Sequence, residues 1–308
     1  MATTVQPVVA NSIGLVSRYV PIFDEKYVAE SKTAIFDTSN EFVRFDTQAQ
    51  TFYVFETEMV GLADYSRNDG FVRGDITSKW QPYAPQWDRG RQYMTDILDD
   101  RQALGMVMGT QQEVLMREHV VPETDALRIA EYANGAYSGN KKAETISNAA
   151  GAIEAIDYAT ATMDDEEVPY EGRILLVNPW FYKYIKGGIT RMIENRDRDI
   201  DYNVERYNDM RVISVPSGRF NTQVTLNQPT AHDGAGDYTL TGSTINFMIV
   251  HPSAIVQANL FTEPRIFSPQ QNQQAQAWLY DFRQYHMAHV RNQKKQGIYV
   301  SAPSIPSA

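Results

Sequence analysis

Three groups of residues in this 308-residue chain have the types and spacings from which chemistry could be built. His286 and His289 stand three apart. On a helix they could share one metal ion; on a strand they face opposite sides and cannot. Their segment, Trp278 to Val290, alternates as a strand does, with Trp278, Tyr280, Phe282, His286, Ala288 and Val290 on one face and Gln284 the exception. They read as structural histidines. Asp197, Asp199 and Asp201 space their carboxylates like the opening of a calcium loop, which needs glycine at its sixth position and glutamate at its twelfth. Tyr202 and Asn208 fill those places, so the run reads as solvated charge. Gly234-Ala235-Gly236 sits in a polar excursion without the strand and helix a phosphate cradle requires, and Ser217-Gly218 lacks a nucleophile elbow. Arg73-Gly74-Asp75 spells an adhesion tripeptide and reads as turn chemistry. With no cysteine, thiolate catalysis, disulfides and cysteine-ligated zinc are excluded. The chain reads as no enzyme, with no metal and no cofactor.

What the chemistry leaves unexplained is the polar stretch from Gly61 to Tyr93. Thr51 to Val60 ahead of it has the β-branched and aromatic content of a strand. Asn68-Asp69-Gly70 gives a turn, and the chain returns from Ile76 to Trp87, where Pro82 and Pro85 suit an edge strand. An isolated hairpin is marginal in water. One carrying Phe71, Trp80, Tyr83 and Trp87, with no core of its own, implies a surface on another subunit. Tyr, Trp and Arg are what buried interface centres favour. Phe71, Arg73, Lys79, Trp80, Tyr83, Trp87, Arg89 and Arg91 are therefore the expected inter-subunit contacts.

Composition sets the outer bounds. An apolar content of 43% and a charged content of 21% are ordinary for a globular chain, and the length suits about two domains. A formal charge of −10 argues against generic nucleic-acid or anionic-membrane binding. No stretch approaches the roughly 18 apolar residues of a membrane span, and Met1 to Ser12 carries no basic, apolar leader. The reading is of a soluble protein made in a cytoplasm.

Along the chain, Asp99 to His119 predicts a helix, with Leu104, Met108 and Leu115 on one face. Val120-Val121-Pro122 predicts a break, and a second helix from Pro122 to Tyr132. Asn134 to Asn140 is a glycine-rich boundary. Ile146, Ala150, Ile153, Ile156, Thr160 and Met163 predict an amphipathic helix. Arg173 to Asn178, Val212 to Pro216 and Ile245 to His251 predict strands, with helices starting at Pro179 and spanning Pro252 to Ala258. Residues 145 to 260 thus alternate helix and strand, as a mixed α/β layer does.

Several short motifs occur in a telling order: Asp64-Tyr65-Ser66-Arg67-Asn68 with Gly70-Phe71-Val72-Arg73-Gly74-Asp75, then Asp88-Arg89-Gly90-Arg91 and Val121-Pro122-Glu123-Thr124-Asp125-Ala126. Val215-Pro216-Ser217-Gly218-Arg219-Phe220, Val250-His251-Pro252-Ser253-Ala254, Arg265-Ile266-Phe267-Ser268-Pro269 and Gly297-Ile298-Tyr299 follow. With the order arm, hairpin, long helix, α/β layer and returning strands, the chain resembles the major capsid proteins of tailed bacteriophages, the HK97 fold, over essentially all of 40 to 301.

That resemblance implies an α+β fold with an N-terminal arm over 1–50 and an extended loop, the β-hairpin or E-loop, over 51–93. It implies a peripheral domain with a long spine helix over 94–139 and an α/β axial domain over 140–260. Residues 261–308 would be returning peripheral strands and a tail. The implied protein self-assembles into hexamers and pentamers of an icosahedral shell enclosing double-stranded DNA without reading its sequence. A shell of this kind is put together in the host bacterial cytoplasm and ends in the virion. Implied partners are a portal protein, a decoration protein and a separate scaffolding protein, since the fifty or so residues ahead of the hairpin show no heptads. Some family members cross-link subunits through a lysine on the extended loop; here that would be Lys79, with Asn272 or Asn292 as acceptor, but no catalytic glutamate can be matched. The alternatives are an encapsulin-like compartment shell with the same fold and, third, a soluble α/β enzyme.

Overall fold

The structure, a computed structural model, describes residues 31–37, 43–46, 51–65, 67–68, 71–97, 112–192, 204–228, 236–272 and 275–305. Strands β1 (Val43–Asp46), β2 (Thr51–Met59) and β3 (Ile76–Tyr83) form a small antiparallel sheet in that order. The β2–β3 register runs from Phe52 opposite Tyr83 to Met59 opposite Ile76, so these two strands make the expected hairpin. Its second strand is shorter than the sequence suggests. Ala84 to Gln86 interrupt it, and β4 (Trp87–Asp96) leaves to join another sheet. Pro85 has no N–H for a ladder, which suits a crossing point between two sheets.

Most of the expected 99–119 helix, together with Asp69, Gly70 and the aspartate run at 197–201, lies outside the described residues. From Gln112 the chain is helical without the predicted break. A π-helical turn, Leu115–Val120, runs straight into α1 (Val121–Gly135), with Val120 and Val121 both in right-handed helical geometry. The N–H of Val121 bonds the Met116 carbonyl, five residues back. This wider turn shifts the upstream carbonyls from the Pro122 ring, and the clash that normally ends a helix at proline does not arise. Thr124 Oγ1 donates to the Val120 carbonyl at 2.8 Å.

The α/β layer follows: β5 (Lys141–Ala143), α2 (Ala149–Asp165), β6 (Ile174–Val177), α3 (Pro179–Met192), β7 (Arg206–Tyr207) and β8 (Met210–Ser214). The Asn148 side chain caps α2 by accepting from the Gly151 N–H at 2.7 Å. A short pair, β9 (Val224–Leu226) with β10 (Tyr238–Leu240), precedes β11 (Phe247–Val250). Only Pro252–Ala254 of the predicted Pro252–Ala258 helix forms, as a single 3-10 turn. From Ile255 the β-branched pair Ile255-Val256 enters a strand instead, β12 (Ile255–Phe267), paired along its length with β13 (Ala277–Val290). The last strand, β14 (Ile298–Ala302), pairs with β11 and so belongs to the α/β sheet, not with the returning strands beside which the resemblance put it.

Six strands stack in the order β5-β14-β11-β6-β8-β7. Alternate residues of its central strands feed two cores. Ile174, Leu176, Met248, Val250, Ile298 and Val300 face Ile129, Tyr132 and Ala133 of α1, while Leu175, Val177, Phe247, Ile249 and Tyr299 face α2 and α3. Covering both faces is why these strands read as unbroken apolar runs. The second sheet, β12-β13-β4, packs against α1 and the π turn through Tyr280 and Phe282. Pro264 is tolerated in it because β12 is an edge.

Candidate functional site

Beyond Glu58 the hairpin leaves the body. Met59, Val60, Leu62, Tyr65, Phe71, Val72 and Ile76 are all exposed, Phe71 at 88%, and Tyr65 and Phe71 touch only edge to face at 4.8 Å between centroids. Exposed apolar side chains clustered on one projection mark an interaction surface. Lower down, Phe55 and Trp80 make a cross-strand aromatic pair at 5.2 Å. Lys79 is exposed opposite Glu56, and Arg73 is exposed near the tip.

The root is anchored. Val54, Tyr83, Val256 and Met287 form a small core between the hairpin and β12–β13. His289 Nε2 donates to the Ala84 carbonyl at 2.7 Å, and its Nδ1 accepts from Gln86 Nε2 at 3.3 Å, so one imidazole braces the crossing segment. Tyr83, 6% exposed, lies tilted beside that ring at 5.4 Å between centroids and donates its O–H to Glu56 Oε1 at 3.2 Å. Burial pushes the Tyr83 phenol up, against the opposing pull of the Asn292 N–H, which keeps it a donor.

The eight expected contact residues therefore fall into two sets. Phe71, Arg73, Lys79 and Trp80 lie on the projecting arm. Tyr83, Trp87, Arg89 and Arg91 are placed against their own chain. Trp87 lies against His286 at 5.0 Å, Arg89 pairs with Glu123, and Arg91 Nη1 sits where a side chain at Gly236 would be. The two histidines do face opposite ways: His286 is buried and His289 lies at the hairpin root. Among the described residues no group of three or more metal-ligating side chains gathers, and no helix is long and apolar enough to cross a membrane. Met59, Val60, Leu62 and Val72 complete the apolar arm and were missed in the sequence; their exposure follows only from where the hairpin stops touching the body.

Neither a family model nor a curated protein matches the chain. Solved structures do. A structure of Mycobacterium phage Che8 aligns with a TM-score of 0.60 at 13% identity over 82% of this chain and 85% of that one. The capsid structure of the Cyanophage P-SCSP1u aligns at 0.58 and 12% identity, over 85% and 86%. A virus-like particle from Pyrococcus furiosus aligns at 0.50 and 9% identity, over 93% and 99%. Likeness across nearly whole chains at such low identity defines the fold: this is an α+β chain with the HK97-like architecture of phage capsid structures.

Proposed function

We propose that the chain is the major capsid protein of a tailed bacteriophage. It assembles into hexamers and pentamers of an icosahedral shell around double-stranded DNA, without catalysis and without reading base sequence. A scaffolding protein, a portal and a decoration protein are its proposed partners, the bacterial cytoplasm its place of assembly and the virion its destination. The observation that carries the reading is the hairpin: Leu62, Phe71 and Val72 project into solvent, left largely uncovered by the described residues. Burying that surface on a neighbour is worth about 25 cal/mol per Å², and it is repeated at every subunit of a symmetric ring. The capsid structures that share the fold support the same reading.

Deleting residues 61–75 tests it. The shortened chain should fold, melt cooperatively and stay monomeric where the intact chain forms particles; particles of normal size from the deletion would refute the role. A second reading, a compartment shell that closes without help, is supported by the likeness to the virus-like particle over almost its full length. Uniform closed shells of one diameter from the chain expressed alone favour it. Tubes, irregular shells or free rings favour the phage reading and its scaffold.

A further inference from the structure

The β12–β13 ladder turns one face to the core beside α1, where Pro264, Tyr280 and Phe282 are buried. Its other face carries four cross-strand rungs: Phe261 with Tyr285, Glu263 with Arg283, Arg265 with Asp281 and Phe267 with Leu279. Two charged rungs of opposite polarity thus lie between two apolar ones. The arginines are open to water, Arg283 at 63% and Arg265 at 58%. The apolar side chains are half-buried.

Both guanidiniums are held in place. Arg265 grips Glu263 side-on through Nε and Nη2, each at 2.9 Å. Arg283 grips Asp88 of β4 in the same way, at 2.9 and 2.6 Å. Asp281 accepts from Gln92 Nε2 at 2.7 Å. These bonds aim each charge and leave Nη1 of both arginines outside the pairs, free to meet an acceptor in front of the sheet.

The order apolar, charged, charged, apolar reads the same from either end, with the charges reversed. A two-fold axis lying in this face, across the strands and between the charged rungs, therefore brings opposites together. Glu263 of one copy meets Arg265 of the other, Arg283 meets Asp281, Phe261 meets Phe267 and Tyr285 meets Leu279. Two acids and two bases in the charged rungs give a polyanion or an anionic membrane nothing to hold. The same face of a second copy is what complements them.

We infer that the outward face of β12–β13 docks on the same face of a second copy of this chain, about a two-fold axis across the strands. This rests on the shell reading and adds to the arm a contact of a different kind, isologous and charge-registered. Rungs about 7 Å apart on strands about 5 Å apart make a patch of roughly 300 Å². That is well below the roughly 800 Å² per partner of a stable pair. The contact therefore acts only where a closed particle repeats it many times.

Charge exchange tests it in particles assembled from the intact chain. R283E and D281K should each melt cooperatively and each lower particle yield at least tenfold. Mixed in equal amounts, they restore both opposed pairs and should recover at least half the parent yield. R283E mixed with E263K should not recover, because that mixture repairs only a contact about an axis along the strands. Where R283E or D281K does not melt cooperatively, R265E with E263K makes the same exchange. Normal yield from each variant alone overturns the inference, and so does an exchange pair that fails to recover. A parent that forms no particles fails the shell reading, and this inference falls with it; normal particles from every variant leave that reading standing.

Discussion

Arg89 grips Glu123 side-on, Nε to Oε1 at 2.6 Å and Nη2 to Oε2 at 3.0 Å. The same guanidinium reaches the carbonyls of Asn227 and Asp237, each at 3.3 Å. One side chain on β4 thus joins α1 to both ends of the loop between β9 and β10. Beside it, His119 Nδ1 meets the Asp237 carboxylate at 2.8 Å. An arginine in the motif Asp88-Arg89-Gly90-Arg91 is therefore spent inside its own subunit.

Removing that grip should destabilise the fold. Breaking a buried pair costs about 3–5 kcal/mol, and this one is partly open to water, so Arg89→Met should cost about 2 kcal/mol. Urea unfolding of the unassembled chain measures it; a loss below about 0.5 kcal/mol would place the pair among ordinary surface contacts.

Acid should weaken the subunit through His286. Burial pushes its imidazole down to about 3, with Arg128 and Arg89 adding to the effect. The unfolded chain binds this proton near pH 6.5 and the folded one does not, so stability falls as pH drops from 6.5 toward 3. The loss is up to roughly 5 kcal/mol. His286→Gln has no proton to bind there and should flatten thermal stability between pH 6 and 4. A slope identical to the parent's would show that other groups govern it.

How much of this was legible beforehand depends on how local each cause is. Ile174 to Val177 and Phe247 to Val250 read as strands because both faces are covered and every residue is apolar. The β2–β3 hairpin read correctly from its composition. Pro122 did not read correctly, because its usual effect on a helix is cancelled by a π turn that no residue pattern announces. Trp87, Arg89 and Arg91 were assigned to the arm because nothing local marks the change of sheet at Ala84 to Gln86.

Asp125 should hold the arm segment. Fully buried on α1, it accepts from Ser31 Oγ and Thr33 Oγ1 at 2.7 Å each, from the N–H groups of Lys32 and Thr33 at 3.0 and 3.3 Å, and from Arg219 at 3.3 Å. Asp125→Ala leaves several of these donors unsatisfied, at about 1–3 kcal/mol each before relaxation. Residues 31–37 should then exchange amide hydrogens at least tenfold faster, with α2 and α3 little changed. Equal protection in the variant would mean that Gln257 and Arg128, which also bond this segment, suffice.

Particles should not be covalently linked. Lys79 stands opposite Glu56 in the strand register and is exposed on the arm. Boiled, denatured particles should run as one band near the 35.0 kDa monomer. A ladder of multimers that disappears in Lys79→Ala would show that this lysine reacts.

The central claim is that the projecting arm belongs on a neighbouring copy. Electron microscopy of the purified, assembled protein tests it most directly, at a resolution that traces the chain. The account predicts rings of five and six subunits with Leu62, Phe71 and Trp80 covered by the adjacent subunit. A chain that stays monomeric at every concentration, or particles in which residues 61–75 touch no neighbour, would contradict it.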